Sequence, residues 1–335
     1  HQEGKAAGLR YFAERGFRED TIRKFQLGYS LDQRDALYKA ATKSGYKKEF
    51  LEKTGLVIAY DNGGVNDRFR GRVIFPVHTL SGKVVAFGGR VLKKDEKTAK
   101  YVNSPESEIY HKSNELYGIY FAKQAIVKAD RCFLVEGYTD VISMHQAGFT
   151  NAVAALGTAF TSGHGTLLKR YTENIILSFD SDEAGQRAIL RAIPILKEAG
   201  LTVRVLDLTP YKDPDEFIKN MGAEAYQKRI DEAIPSFMFE IQVLRDGYDF
   251  SDPSKKTEFF EEAANKLRTF EDVLERNNYI EAVSRTYGID YQILKQKVEE
   301  HAYKAPQAMQ QERKQVQKKR EKDEGLKAAQ RLLLT

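Results

Sequence analysis

The sequence predicts an α/β protein of several subdomains: a mixed α+β part, then a core with a parallel sheet, then a helical bundle. Between residues 126 and 225, short apolar runs alternate with longer helical patterns, which is the spacing of βαβ units. The segment before this core mixes helical patterns with short strands, and the segment after it has helical spacing throughout. With 335 residues, 41% hydrophobic and 30% charged, the composition is typical of a soluble globular protein of about two domains.

The first part, residues 1–125, opens with helices and continues with short strands. The helical patterns cover residues 6–15, 19–25, 35–42 and 48–56. Strand candidates follow at 72–77 and 83–87, before the Gly-rich turn Gly88-Gly-Arg90.

The last part is helical. Residues 226–303 show apolar spacing typical of helices, and packing as a bundle is the simplest way to bury it. Residues 304–335 consist mostly of Gln, Lys, Glu and Arg, so we predict a charged helix or a linker there.

Acidic residues end two of the predicted core strands. The four apolar runs cover residues 131–136, 151–156, 174–180 and 201–208, and Glu136 and Asp180 are the last residues of the first and third runs. In parallel sheets, the chemistry is found at the carboxyl ends of the strands. We therefore expect these two carboxylates to mark a functional site.

Further carboxylates accompany them. Asp140 follows Glu136 by about one helical turn, and Asp182 lies two residues after Asp180. Like charges that converge at a sheet edge repel one another unless a divalent cation offsets them, and such oxygen ligands suit Mg²⁺ or Mn²⁺.

The competing interpretation is that some of these acids are helix caps. Asp182 precedes a predicted helix, as does Asp213 in Lys212-Asp-Pro-Asp215, where Pro214 fits the first turn. For the pair Asp213 and Asp215, a cap and a metal or electrostatic role remain equally open. The joint pattern of acids at two strand ends favours the metal site.

Charge is distributed unevenly along the chain. The net charge of +5 divides into +8 over residues 1–125, −3 over 126–225 and zero over 226–335. A basic segment beside an acidic one indicates a polyanionic partner next to a cation site, although chance clustering on a solvated surface is an equally good explanation.

Several classes of protein are disfavoured. The only cysteine, Cys132, excludes an internal disulfide and a Cys-rich zinc site within this sequence, and no apolar run reaches the ~18 residues of a membrane span. No signal peptide is recognisable at the start, so we expect a reducing cytoplasm. No Ser, Cys and His arrangement resembles a catalytic triad, and His164 is expected to pack or to cap a helix.

Two motifs resemble the toprim domain shared by primases and topoisomerases. They are Val135-Glu-Gly-Tyr-Thr-Asp140 at a strand-to-helix turn and, about 40 residues later, Phe179-Asp-Ser-Asp-Glu-Ala-Gly185. Further segments resemble the bacterial replicative primases, in the same order along the chain: Tyr11-Phe-Ala-Glu-Arg-Gly-Phe17, Asp67-Arg-Phe-Arg-Gly-Arg-Val-Ile-Phe-Pro76, Gly88-Gly-Arg-Val-Leu92, Lys100-Tyr-Val-Asn-Ser-Pro-Glu106, Leu116-Tyr-Gly118, Leu156-Gly-Thr158 and Lys212-Asp-Pro-Asp215. The resemblance is close over residues 5–225 and loose over the helical remainder.

The resemblance implies the central RNA polymerase domain of a primase, which makes short RNA primers on single-stranded DNA. Glu136, Asp180 and Asp182 would then be catalytic. The metal ligands would be Glu136, Asp140, Asp180, Asp182, Asp213 and Asp215, with Mg²⁺ as the ion and Mn²⁺ as a possible substitute. On this resemblance the core is a toprim domain at 126–225, residues 1–125 bind template, and 226–303 form the bundle.

Basic residues in turns and Gly-rich segments can reach phosphates. Those expected to bind nucleotide or template are Arg15, Arg68, Arg70, Arg72, Arg90, Lys100 and Lys112, with Tyr101 and Asn103 beside them and Gly157 and Thr158 at a strand-to-helix turn. Tyr101 could stack on an unpaired base, whereas Phe69 and Phe87 are expected in the core.

The implied partners are single-stranded DNA and ribonucleoside triphosphates, with guanosine tetraphosphate or pentaphosphate as competitors at the nucleotide site. The family's zinc-binding domain and helicase-docking domain are expected to be absent, and residues 304–335 would lead toward the latter. We expect no membrane partner, and we expect a cytoplasmic location at the bacterial replication fork. The alternatives are a toprim topoisomerase or nuclease that cleaves phosphodiesters, and a non-catalytic module that binds nucleotides or single-stranded DNA.

Overall fold

The computed structural model describes residues 1–92, 98–156 and 160–300. The chain divides into two compact units, with the first unit spanning His1–Ser236 and the second beginning at Phe237. Among the described residues, no helix has the length and apolar character needed to cross a membrane.

The first unit begins with helices followed by an antiparallel sheet. A π-helical segment, Gly4–Leu9, leads into these elements: α1 (Arg10–Glu14), α2 (Glu19–Lys24), β1 (Gly28–Tyr29), α3 (Ala36–Lys43), α4 (Lys48–Lys53), β2 (Val57–Ala59), β3 (Val65–Asp67), β4 (Arg72–His78), β5 (Val84–Val91), β6 (Tyr101–Asn103) and α5 (Ile119–Ala129). The sheet has the strand order β1-β4-β5-β6, and β2 pairs with β3 in a separate hairpin. The mixed α+β prediction for this part is confirmed.

The rest of the first unit is a parallel α/β domain. Its elements are β7 (Cys132–Val135), α6 (Tyr138–Gln146), β8 (Ala152–Ala154), α7 (Ser162–Lys169), β9 (Asn174–Leu177), α8 (Glu183–Glu198), β10 (Thr202–Val205), α9 (Pro214–Asp231) and β11 (Ile234–Pro235). The strand order is β11-β10-β9-β7-β8; β10, β9, β7 and β8 are parallel, and β11 is antiparallel at the edge. The predicted parallel sheet is therefore confirmed, and strands β7 and β8 are fully buried, although β8 lies at an edge of the sheet.

A close approach between β5 and α6 joins the two sheets of this unit. A Cβ atom added to Gly88 would lie 2.2 Å from the ring of Tyr138, so only glycine permits this packing. The Tyr138 ring also stacks on Phe75 of β4 at 4.8 Å between centroids. The mixed part and the parallel part therefore share one hydrophobic core.

Helix α9 belongs to the first unit. The sequence-based boundary between 225 and 226 falls inside this helix, whereas the chain divides after Ser236. The physical reason is that Tyr226 and Ile230 are buried in the core of the parallel domain.

The second unit is helical. Its helices are α10 (Ser236–Asp246), whose first residue is the last of the first unit, α11 (Pro253–Leu267), α12 (Val273–Tyr287) and α13 (Tyr291–Glu300). They surround a core that includes Phe259, Leu267 and Leu294. Asp252 and Asp272 cap α11 and α12 with their side chains. The predicted helical bundle is confirmed, while the predicted linker at 304–335 lies outside the described residues.

Candidate active site

Two carboxylates meet where β7 and β9 end. These strands are parallel neighbours, and Glu136 follows β7 directly while Asp180 lies just beyond β9. Glu136 Oε1 accepts a hydrogen bond from the Asp180 backbone N–H at 3.0 Å. The structure thus brings together the two acids that the sequence placed at strand ends. Glu136, Asp180 and the nearby Asp182 are called the acidic edge below.

Gly185 permits the tight turn that carries these acids. A Cβ atom at this position would lie 2.0 Å from the Asp180 carbonyl oxygen and 3.1 Å from Glu136 Oε1. Asp182 caps α8, since its Oδ1 accepts from the Gly185 N–H at 2.9 Å. The cap interpretation of Asp182 is therefore correct, and it does not remove the residue from the acidic edge, because only one of its carboxylate oxygens makes this bond.

Burial and mutual repulsion act on the acidic edge. Burial raises the pKa of Glu136, and the neighbouring charges of Asp180 and Asp182 raise it further. Burial also raises the pKa of Asp180, while Lys212 Nζ, 3.5 Å from Asp180 Oδ2, opposes that shift. The site therefore favours the binding of positive charge.

Asp140 lies beneath this edge in the first turn of α6 and is buried. Burial raises the pKa of Asp140 to about 8, with smaller contributions in the same direction from the charges of Asp213, Asp180 and Asp215. A carboxylate in this position gains from any added cation nearby.

The two acids before and within α9 have different environments. Asp213 caps the helix through a bond from the Glu216 N–H to its Oδ1 at 2.8 Å, as the cap interpretation predicted. Both oxygens of Asp215 are occupied by protein groups: Arg15 at 2.6 Å and Lys219 at 2.7 Å on Oδ2, and the Ser143 hydroxyl on Oδ1. Asp215 therefore holds Arg15 in place through an ion pair, and with both of its oxygens bonded Asp215 is poorly placed to be a metal ligand.

The donor set fits a divalent metal in its chemistry. Glu136, Asp180 and Asp182 offer hard carboxylate oxygens, and burial, followed by repulsion between neighbouring carboxylates, raises the pKa of the first two. Over residues 1–92, 98–156 and 160–300, however, no three His, Cys, Asp or Glu side chains are already arranged around one point as ligands. A metal bound here would need water or substrate oxygens to complete its shell.

A basic and aromatic group lies next to the acidic edge. The Arg90 guanidinium is 4.8 Å from the centre of the Tyr11 ring and 6.0 Å from that of Tyr101, and Lys100 Nζ is 6.0 Å from the Tyr101 ring. Burial lowers the pKa of Lys100, followed by repulsion from Arg90, Lys212 and Arg15, while Asp180 acts in the opposite direction. The predicted template residues and the acidic edge are therefore electrostatic neighbours.

Arg90 has one further property that matters for binding. Its Nε is buried and has no hydrogen-bond partner among the described residues. A buried donor that lacks a partner costs free energy, so the binding of a ligand whose oxygen accepts a hydrogen bond from Arg90 Nε would be favoured.

Three other arginines predicted to bind template have structural partners. Arg72 is buried and donates to the carbonyl oxygens of Gly89, Ala99 and Lys100 at 3.0–3.3 Å. Arg68 donates to the Gly55 carbonyl oxygen at 2.6 Å, and Arg70 lies 3.5 Å from Asp32. We therefore correct the expectation for Arg72: it holds the backbone that carries Lys100 and does not face a template.

The remaining predicted residues have these positions. Asn103 Oδ1 accepts from the Tyr138 hydroxyl at 2.7 Å, which ties β6 to α6. The Lys112 carbonyl oxygen accepts a hydrogen bond from His164 Nε2 at 2.7 Å. His164 also completes a capping box with Thr161 at the start of α7, so the predicted capping role of His164 is confirmed. Gly157 and Thr158 lie outside the described residues.

Sequence reasoning missed Lys212 and Tyr11. Lys212 directly precedes the Asp-Pro-Asp segment, and its contact with Asp180 requires the 211–213 loop to lie against the 180–182 loop. The Ser181 N–H bond to the Lys212 carbonyl oxygen, at 2.8 Å, holds the two loops together. The position of Lys212 directly before an acidic motif was the one feature of the sequence that could have indicated its contact with Asp180.

A parallel sheet with acidic strand ends beside a basic surface defines a toprim-type α/β protein. Family models match three segments: DNA primase catalytic core, N-terminal domain, at residues 1–123; Toprim-like at 133–218; and DnaB-helicase binding domain of primase at 237–292. The third match falls within the helical unit, whereas the resemblance alone implied a helicase-docking domain beyond residue 303.

Similar proteins agree with these matches. The DNA primase of Clostridium acetobutylicum is 38% identical over 87% of this chain and 48% of its own length, and that of Escherichia coli K12 is 38% identical over 72% and 42%. A DNA primase domain from Pseudomonas aeruginosa is 34% identical, with a TM-score of 0.72 over 88% of this chain and 92% of that one.

A further solved structure is the RNA polymerase domain of Mycobacterium tuberculosis primase DnaG, in complex with a double-stranded DNA oligomer with a 6-nucleotide overhang. It is 33% identical, with a TM-score of 0.76 over 85% of this chain and 91% of that one. This chain belongs to the bacterial DNA primase family. It spans about half the length of the curated relatives it matches.

Proposed function

We propose that this chain synthesises short RNA primers on single-stranded DNA during replication, by metal-dependent nucleotidyl transfer. One observation carries the proposal: the acidic edge of Glu136 and Asp180 lies beside the basic group of Arg90 and Lys100 within one unit. A polymerase needs both features together, because it must bind a polyanionic strand while it stabilises charge at a reacting phosphate.

The acidic edge is proposed to hold Mg²⁺, or Mn²⁺ in its place, through Glu136, Asp180 and Asp182. When bound, such ions lower the pKa of an attacking hydroxyl and stabilise negative charge on the transferred phosphate. The raised pKa values of Glu136 and Asp180 support this role, since a cation relieves the repulsion that causes part of each shift. Asp213 would add negative charge beside the site, and a bound cation would favour the ionised form of Asp140, whose pKa burial raises to about 8.

The protein's own groups would orient the reactants. Lys212, which already faces Asp180, would offset charge on a triphosphate, and Arg90 would donate its free Nε to a phosphate oxygen. Tyr101 would stack on an unpaired base, with Lys100 on the adjoining phosphate. Asn103 and Lys112 are proposed as further contacts for the template.

The proposed partners follow from this activity and from the comparisons. They are single-stranded DNA and ribonucleoside triphosphates, with guanosine tetraphosphate or pentaphosphate as competitors for the triphosphate site. The match of a DnaB-helicase binding model to residues 237–292 supports the replicative helicase as a further partner, and with it a cytoplasmic location at the replication fork.

The test is incorporation of labelled ribonucleotides on a single-stranded DNA template carrying an annealed RNA primer, which removes the need for start-site selection. We expect extension of the primer that chelator abolishes and that Mg²⁺ or Mn²⁺ restores. Cleavage of the template instead would support a toprim nuclease. Template binding without extension at saturating metal would support a non-catalytic module.

A further inference from the structure

Two exposed aromatic residues, Tyr46 and Phe50, lie four positions apart in the chain and are not among the residues of the candidate active site. Tyr46 is 64% exposed and Phe50 is 54% exposed, and they are the two most exposed aromatic residues in the described part of the chain. Tyr46 lies in the turn between α3 and α4, and Phe50 lies one helical turn later, in α4. Single exposed apolar residues are common on any protein surface, but two large exposed rings only four residues apart are less common and indicate a contact surface.

These rings are not needed by the local core. The small lobe formed by α3, α4, β2 and β3 packs around Leu51, Val57 and Val65. Leu51 is buried, whereas its neighbour Phe50 is turned to solvent. The lobe therefore has its own core, and Tyr46 and Phe50 lie outside it.

The charge around the rings is positive. Residues 39–53 contain five lysines and two glutamates. Each glutamate is paired: Glu49 with Lys53 at 2.9 Å and Glu52 with Lys48 at 3.3 Å. Lys43 and Lys47, which flank Tyr46, have no ion-pair partner within the described residues.

The lobe is continuous with the strand that carries the predicted template residues. The chain leaves β6 after Asn103, and the Pro105 ring packs against Gly55, where an added Cβ atom would lie 2.3 Å away. Gly55 follows α4 closely, and Arg68 donates to its carbonyl oxygen. A nucleic acid that runs along β6 would therefore come near the carboxyl-terminal end of α4, the helix that carries Phe50.

We propose that Tyr46, Phe50, Lys43 and Lys47 form a second contact for single-stranded DNA, on template that extends beyond the active site along β6. Bases stack on exposed aromatic rings whatever their sequence, and lysines neutralise the intervening phosphates. The proposal rests on the proposed function, because it takes the strand at β6 to be the template.

The first test uses the absence of tryptophan from the sequence. Tyr46→Trp and Phe50→Trp each give a single fluorescent reporter, and Tyr120→Trp, on α5, gives a matched control at another exposed tyrosine. Added oligo(dT) long enough to pass β6 should quench the first two reporters and leave the control unchanged. Equal quenching of all three reporters, or none at Tyr46 and Phe50, overturns the proposal.

The second test compares affinities for a short and a long oligonucleotide. The double variant Tyr46→Ser/Phe50→Ser should weaken binding of the long strand about tenfold, the loss of one to two base stacks, and leave the short strand unaffected. Lys43→Gln/Lys47→Gln should reduce the salt dependence of long-strand binding by about 1.4 in log–log slope. Tyr120→Ser/Lys128→Gln on α5 is the matched control and should change neither.

The outcomes separate this proposal from the proposed function. If primer extension succeeds and these variants bind the long strand as the unchanged protein does, the second contact is wrong while the polymerase assignment stands. If extension fails but long-strand binding still depends on the four residues, the surface is a DNA contact without polymerase activity. Unchanged DNA binding together with loss of helicase binding would assign the rings to a protein partner and overturn the proposal.

Discussion

Arg15 Nη1 donates to Asp215 Oδ2 at 2.6 Å and so joins the end of α1 to the first turn of α9, 200 residues away in sequence. Ser143 and Lys219 donate to the same carboxylate. Because Asp215 is almost fully buried, this contact fixes the basic amino-terminal part relative to the parallel sheet. The distance between the basic residues Arg90 and Lys100 and the acidic edge therefore depends on the Arg15–Asp215 ion pair.

Asp215→Asn should destabilise the protein by about 2 kcal/mol, because two cationic groups lose their partner in a partly buried place. The measurement is the urea unfolding midpoint in the presence of chelator. Asp231→Asn, at the exposed end of α9, is the control and should have little effect. If Asp215 were instead a repelled metal ligand, its neutralisation would stabilise the metal-free protein.

Gly185→Ala should destabilise the protein by about 2 kcal/mol, since the new methyl group would meet the Asp180 carbonyl oxygen at 2.0 Å. It should also impair primer extension by displacing Asp180. Gly28→Ala is the control, because a Cβ atom there meets open space. Equal unfolding midpoints for the two variants would contradict the packing described for α8.

Arg90→Ala and Lys100→Ala should each weaken binding of single-stranded DNA and reduce its salt dependence by about 0.7 in log–log slope, one phosphate contact each. Fluorescence anisotropy across a salt series measures both quantities. Lys228→Ala on α9 should leave the slope unchanged. A common slope for all three variants would show that β5 and β6 do not bind the strand.

His145 should make stability depend on pH. Burial lowers its pKa to about 4 from an unfolded value near 6.5. The unfolded state thus binds the proton more readily between these values, so the contribution of His145 is present above pH 6.5 and is lost as pH falls toward 4. The loss from pH 7 to pH 4.5 should be about 2 kcal/mol.

His145→Gln should therefore lose less stability than the unchanged protein when the pH falls from 7 to 4.5. Chemical unfolding at the two pH values gives this difference directly, and His111→Gln, at an exposed histidine, is the control. An equal loss in the His145 variant and the unchanged protein would show that the His145 ring is not kept neutral by burial.

The acidic edge could be predicted from the sequence because its determinants are local. Short apolar runs that end in Glu136 and Asp180 are recognisable as buried parallel strands, and parallel strands place their carboxyl ends together. Helix caps at Asp182 and Asp213 were also visible, since a cap acts on residues only three positions away.

The partners of the basic residues could not be predicted, because they depend on long-range pairing. Arg72 and Arg90 both lie near glycines, yet the pairing of β4 with β5 buries Arg72 beneath carbonyl oxygens and leaves Arg90 beside Tyr11. The same limit applies to Asp215, whose main partner Arg15 is 200 residues distant. Composition and spacing carry no information about such contacts.

The most direct test of the account compares primer extension by Asp180→Asn with that by Glu183→Gln. Both substitutions neutralise a carboxylate in the same turn, but Glu183 is largely exposed and paired with Arg187. Asp180→Asn should reduce incorporation by about a hundredfold or more, with single-stranded DNA affinity within a few fold, and Glu183→Gln should retain the activity. Substantial extension by Asp180→Asn in Mg²⁺ would contradict the assignment of this edge as the catalytic metal site.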